Sequence, residues 1–292
     1  MIELQILING LSEGFIAALL GLSFWLVYAS VRVFHVAFAA TYTIAPFVVW
    51  STLRAGIPWP LAVFAGLGAS VALAVGCEVV NHARLERRHA SGDLHLIASL
   101  GTYIAALQAI AIAWGNEAKF LYPGAHPTFT IAGIIVTRTQ ALNIGLSSCV
   151  VLLTGWLLRR TGVGLRLRAL SDNPTELALR GHAVAPLRME LFALSGAIAA
   201  VAAILTAYHV GFDPYGGLEA LLLAVVATVI GGRGSFWGPV LGGLVLGVTR
   251  SLVVLYASPA WKESATFVLL TLFLLLRPVG LIGKATRLEA QK

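Results

Sequence analysis

Few side chains in this sequence have the type and spacing to do chemistry. Glu13, Glu78 and Glu219 are the carboxylates in or beside long apolar runs, where an acid can couple a solute to protons or sodium ions. His35 lies inside the apolar stretch 31–47 and has two readings: contact with a solute, or a neutral imidazole bonded to a neighbouring helix. The histidines form no H-E-x-x-H motif and no His/Ser/Asp grouping is evident, so neither a metal centre nor a catalytic constellation is expected. The segment GGRGSFWGPVLGG at 231–243 has the glycine content of a phosphate loop but not its G-x-x-x-x-G-K-S/T order. Its glycines (Gly231, Gly232, Gly234, Gly238, Gly242 and Gly243) instead permit backbones to approach one another, with the last three along one side of a following helix.

The elements that position these residues follow from composition. Of 292 residues, 58% are apolar and 11% charged, against roughly 25% charged in soluble domains. Mean hydropathy is +0.87, and apolar runs near twenty residues, each able to cross about 30 Å of hydrocarbon, recur from end to end. An all-α polytopic membrane protein is expected, a single transmembrane domain over 1–292 with no separate soluble domain. The net charge of +7 is scattered through short loops and is no nucleic-acid signal. Cys77 and Cys149 both sit in apolar context, so no disulfide framework is expected. Residues 1–28 lack a basic n-region and a small-residue cleavage site, which makes the first run a retained span.

Eight to ten segments, with nine as the working figure, are expected. They begin with 6–28 and a second span around Pro46 that ends near Leu53. The third is 60–80, which empties into a polar loop at 81–93, and the fourth is 94–114, followed by an irregular stretch at 115–138. Then come 139–158, a span from 188 to 209, a short piece at 218–230, and finally 236–256 and 263–276. The short piece beside the glycine-rich break is expected to be a discontinuous or re-entrant helix, tolerated where protein or a cavity surrounds it. Fifteen of the twenty Lys and Arg fall on one side in this arrangement, which is therefore the cytoplasmic side, with the C-terminus inside and the N-terminus outside.

The one long polar segment is 159–188. It carries Arg159, Arg160, Arg166, Arg168, Arg180 and Arg188 against Asp172 and Glu176. Gly162 and Gly164 are expected to loosen the chain. Ser171, Asp172 and Asn173 before Pro174 suit a helix start, Glu176 and Arg180 an i,i+4 pair, and Gly181 a stop. A short helix lying parallel to the membrane, with one face free for a partner, is the expected geometry. The plainer account is that these arginines set topology and attract anionic lipid.

Four stretches resemble the permease subunits of high-affinity branched-chain amino acid importers of the ATP-binding cassette class, specifically the smaller, H-type subunit. They are VRVFHVA at 31–37, GLRLRALSDNPTELALRGHAV at 164–184, ATVIGGRGSFWGPVLGG at 227–243 and LLLRPVGLIG at 274–283. The resemblance implies a bacterial inner-membrane protein that forms a path with a second homologous permease. It further implies a periplasmic substrate-binding protein that delivers a small amino acid and two cytoplasmic ATPases that hold ATP and Mg, with no cofactor in this chain. By the same resemblance Arg168, Ala169, Asp172, Glu176, Ala178 and Gly181 belong to the region that docks on an ATPase.

The likeness breaks where substrate would be felt. Family members usually have R-V-x-N-F-A-H-G and then an acid; here His35 takes the asparagine position, Phe38 and Ala39 the His-Gly position, and Ala40 that of the acid. Glu219 stands where the family often has lysine. His35, Phe38, Tyr42 and Glu219 are the expected path residues. The competing classes are an ion-coupled secondary transporter, a structural permease partner without its own selectivity, a passive channel and an intramembrane enzyme.

Overall fold

A backbone in hydrocarbon must satisfy its own hydrogen bonds, and the chain does so with helices. The computed structural model describes residues 2–122, 124, 127–131 and 134–282. Expectations that fall on Pro123, Gly133 and Gly283, and on the side taken by the C-terminus with Lys284, Arg287 and Lys292, lie outside the described residues.

Helix α1 (Ile2–Val31) breaks before α2 (Phe38–Arg54), and α3 (Trp59–Cys77) passes through a π-helical turn (Glu78–His82) into α4 (Ala83–Arg87). Next are α5 (Gly92–Trp114), strands β1 (Thr128–Ile131) and β2 (Ile134–Thr137), and α6 (Arg138–Arg160). Two short helices, α7 (Gly162–Asp172) and α8 (Pro174–Leu179), precede α9 (Val184–Val210), α10 (Gly216–Gly231), α11 (Trp237–Tyr256) and α12 (Lys262–Leu276). Among the described residues, seven helical segments are long and apolar enough to cross a membrane. Helices α2 and α10, with 17 and 16 residues, are shorter. The fold is that of a helical multi-span membrane protein with a short, interrupted helix.

Three local expectations are corrected. The stretch 115–138 is not wholly irregular: its β-branched residues form an antiparallel hairpin that pairs Thr128 with Thr137 and Ile131 with Ile134. Gln5 grips that hairpin, accepting from the Ile135 N–H at 3.0 Å and donating to its carbonyl at 2.8 Å. Residues 81–87 are helical rather than loop, because the π turn carries α3 onward into α4. Gly162 and Gly164 lie inside α7, where the missing side chain of Gly164 makes room for the Leu158 backbone.

The chain divides into two units. The first comprises Met1–Trp25, Ala125–Val151 and Leu222–Lys292. Helices in lipid gain little from apolarity alone, so close packing must hold them. Glycines provide it: a Cβ on Gly243 or Gly247 would collide with α1 at Ala18 or Gly14, one on Gly242 with α10 at Ala227, and one on Gly238 with Gly232 just past the end of α10. The Thr228 hydroxyl adds hydrogen bonds to the carbonyls of Ala224 (2.7 Å) and Gly21 (3.0 Å). The C-terminal carbonyls of α10 find partners after α12, where Leu281 N–H donates to Ile230 (2.9 Å) and Ile282 N–H to Gly231 (3.0 Å). Gly280 packs directly on Gly232, both with positive φ that glycine alone adopts freely.

The second unit comprises Leu26–Gly124 and Leu152–Leu221. Its core of small side chains, Ala45, Val49, Ala62, Ala200, Ala203 and Ala207, brings α2, α3 and α9 together. The buried Ser70 hydroxyl on α3 bridges the carbonyls of Thr41 on α2 (2.7 Å) and Gly196 on α9 (2.8 Å). Gly217, at the start of α10, fits against Ala39 and Thr43 of α2.

Gly242→Val would force a branched side chain into the Ala227 backbone, at a cost on the order of 3 kcal/mol. Gly68→Val, at a position with open space around its Cα, serves as the comparison. Thermal unfolding of the detergent-purified protein is expected to show a large loss for the first and little change for the second.

Candidate functional site

The segment singled out by its arginines folds as two short helices hinged at Asn173. The Asn173 side chain accepts hydrogen bonds from the N–H groups of Thr175 (3.1 Å) and Glu176 (3.2 Å), and Pro174 occupies the first helical position, where its missing N–H costs nothing. Glu176 and Arg180 pair at 2.5 Å, and Gly181, at φ +84°, ends the helix. Leu167, Leu170 and Leu177 are buried beneath, whereas Leu165 and Leu179 are 67% and 84% exposed. Of the six candidate docking residues, Arg168, Asp172, Glu176, Ala178 and Gly181 are exposed and Ala169 is half-buried.

Two arginines tie these helices to the rest of their unit. Arg32 follows α1 in a left-handed conformation, φ +53°, and its guanidinium donates to the carbonyls of Ser171 and of Asp172 (3.2 Å). A cation thereby closes the C-terminal end of α7, where unpaired carbonyls and the helix dipole favour positive charge. Arg188, near the start of α9, is only 3% exposed. It pairs with buried Glu78 in a two-pronged contact (2.8 and 3.2 Å) and also with Glu86, one carboxylate on the π turn and the other on α4.

The same π turn holds His82, which is fully buried. Its Nε2 lies 2.9 Å from Nδ1 of His35, in the break between α1 and α2, and its Nδ1 lies 3.0 Å from Nδ1 of His95 on α5. The Phe192 ring on α9 packs edge-on against His35 at 5.4 Å and tilted against His82 at 5.6 Å. Among the described residues no group of three His, Cys, Asp or Glu has the arrangement to hold a metal ion; the imidazoles bond to each other. Ser99 on α5 accepts from the Val36 N–H at 3.2 Å, which fixes the break beside this cluster. A cavity of about 490 Å³ opens next to it, lined in part by Arg32, Glu86, His89, His95, Leu170 and Arg188.

The four expected path residues do not form one constellation. His35 is bound into the histidine cluster, Phe38 is buried in the first turn of α2, Tyr42 packs against the core shared by α2, α3 and α9, and Glu219 is exposed on the first turn of α10. Glu13 is ion-paired, 2.7 Å from Lys262 and 3.8 Å from Arg250, while Arg250 also reaches Glu263 at 3.0 Å and Thr266 at 3.0 Å. Of the six structural glycines, Gly231, Gly232, Gly238, Gly242 and Gly243 stand at close backbone approaches, and Gly234 lies exposed in the turn between α10 and α11. The sequence reasoning missed His82 and His95 as partners of His35, Arg188 as the partner of Glu78, and the capping role of Arg32. Their separations, 47 residues between His35 and His82 and 110 between Glu78 and Arg188, follow no helical period.

Comparison with known proteins places these features in context. The sequence profile of the family described as "Branched-chain amino acid transport system / permease component" matches residues 6–276. The high-affinity branched-chain amino acid transport system permease protein LivH of Escherichia coli (strain K12) is 28% identical over 297 residues, covering 96% of each chain. The corresponding protein BraD of Pseudomonas aeruginosa is 28% identical over 294 residues, again with 96% of each chain covered. Among solved structures, PsaBC from Streptococcus pneumoniae in complex with Fab aligns with a TM-score of 0.52 at 13% identity, over 94% of this chain and 91% of that one, a likeness of fold.

Arg188→Gln would strand Glu78 in a buried position, with an expected loss of about 3–5 kcal/mol. Adding Glu78→Gln removes the stranded charge, so the double variant is expected to recover most of that loss in thermal unfolding. Asn173→Ala removes the cap of α8 at a cost of about 1 kcal/mol. Limited proteolysis within 171–181 is expected to run roughly fivefold faster in that variant.

Proposed function

Because the chain belongs to the family of branched-chain amino acid transport system permease components, we propose that it is a membrane subunit of an ATP-driven importer for branched-chain or related small amino acids. The whole chain serves as one permease domain, and 159–188 is its cytoplasmic coupling segment. It forms the path with a second homologous permease in the bacterial inner membrane, receives solute from a periplasmic binding protein and docks on one of two ATPases that hold ATP and Mg.

One observation carries this reading: α7 and α8 present Arg168, Asp172, Glu176, Ala178 and Leu179 outward, yet are anchored from below by Leu170, Leu177 and the Arg32 clamp. An exposed helix on a stiff mount suits the transfer of force from a partner whose groove accepts an apolar residue and whose charges orient it. A segment that only set topology would need no such mount. The mechanism is mechanical: nucleotide chemistry occurs in the ATPase, and displacement of α7 and α8 reaches the membrane helices through Arg32 and α9.

The carboxylates bear on the ion-coupled alternative. Glu13 and Glu78 are each committed to arginine or lysine partners, which favours structural roles over cycling with a transported ion. On the substrate side, Phe38, Ala39 and Ala40 stand where the family has small or polar residues and make that part of α2 less polar, while the binding protein supplies selectivity. His35, Phe38, Tyr42 and Glu219 remain the proposed path residues.

In proteoliposomes holding the whole complex, leucine uptake is expected to require ATP and the ATPases, and uptake by this chain alone on an ion gradient would defeat the proposal. Glu176→Arg reverses a charge on the docking face. It is expected to lower uptake per ATP hydrolysed by roughly tenfold while membrane insertion is unchanged.

A further inference from the structure

We propose that the π turn Glu78–His82 is the joint that passes displacement of the coupling segment to the break between α1 and α2, with Arg188, Glu78, His82 and His35 as its positioning residues. This rests on the reading of 159–188 as the coupling segment and names the internal route that reading requires.

The contacts form a closed circuit. From the α7–α8 hinge, Arg32 leads straight to the break at 32–37. In the other direction the chain continues through α8 into α9, where Arg188 holds Glu78 on the π turn. On that same turn His82 contacts His35, which lies in the break three residues from Arg32. The coupling segment therefore holds the break at two points, one directly and one through the turn.

A π turn carries one residue more than an α turn, so it is where a helix slips register by a residue and swings its downstream half by about 100°. Such a slip gives two discrete arrangements, which is what a coupling element needs. Glu78 and His82 open and close the turn, so pulling on Glu78 through Arg188 moves the ring that touches His35. The parts on either side are fixed: Ser70 ties α3 to α2 and α9, and Ser99 on α5 holds the Val36 N–H. The slip is thereby confined to the turn, to α4 directly beyond it and to the break.

The geometry of the imidazoles supplies a test. The contact runs from Nε2 of His82 to Nδ1 of His35. A glutamine amide overlays the Nε2 position of histidine, and an asparagine amide overlays Nδ1. At position 82, His82→Gln therefore keeps the contact and His82→Asn loses it, whereas at position 35 the order reverses, with His35→Asn keeping it and His35→Gln losing it. The assay is leucine uptake per ATP hydrolysed by the complete complex in proteoliposomes, with assembly verified by co-purification of the ATPases.

His82→Asn is expected to couple roughly tenfold less well than His82→Gln, and His35→Gln roughly tenfold less well than His35→Asn. A role in filling space would make the same amide worse at both positions, and that result overturns the proposal, as does full coupling in all four variants. If one position does not tolerate substitution, the pair at the other decides. Failure of the unaltered complex to require the ATPases would overturn the reading of the coupling segment instead, and is visible before any variant is made.

Discussion

The second unit depends on one buried cation. Arg188 is almost fully enclosed at the head of α9, and a guanidinium there is tolerable only because two carboxylates meet it. That requirement fixes α9 in rotation and depth, because the side chain must reach Glu78 and Glu86 together. The positions of Ser195, Gly196 and the alanines that pack α9 against α3 and α2 follow from it. It also fixes where the chain leaves α8, only a few residues earlier. The segment 159–188 is thus held by an ion pair whose loss would leave a charge in an apolar interior, a firmer mount than any surface pair such as Glu176–Arg180.

The first unit is held differently. There the helices approach until backbone meets backbone, and the cost of glycine in a helix is offset by contacts along whole seams. Arg250, Glu13, Lys262 and Glu263 supply a further set of ion pairs among α1, α11 and α12. Charge and close packing thus work side by side, but in this unit the glycines decide which helix faces meet.

Much of this was legible in the order of residues. The Asn-Pro start and glycine stop of α8 act through neighbours within four positions, so local chemistry is enough to place them. The glycines of 231–243 announced close approach, although not that Gly243 and Gly247 would face α1 while Gly238 and Gly242 face α10. The polar stretch at 81–93 was misjudged because Arg84 and Arg87 look like loop residues, yet a helix can run past the apolar layer with its arginines exposed. The histidine cluster was illegible: His35, His82 and His95 stand in three separate segments, and only the fold makes them neighbours. Gly162 and Gly164 misled for a related reason, since glycine loosens a free chain but admits a close neighbour in a packed one.

The closure of α10 by Leu281 and Ile282 has a consequence for biogenesis. A ribosome delivers α10 to the insertion machinery well before it makes the residues that complete that helix, and until then the carbonyls of Ile230 and Gly231 face their surroundings without donors. The bundle consequently cannot mature in the order in which it is synthesised; its middle waits for its final stretch. Nascent chains interrupted before that stretch would lack the two donors that complete α10, and would differ from finished molecules at that helix end.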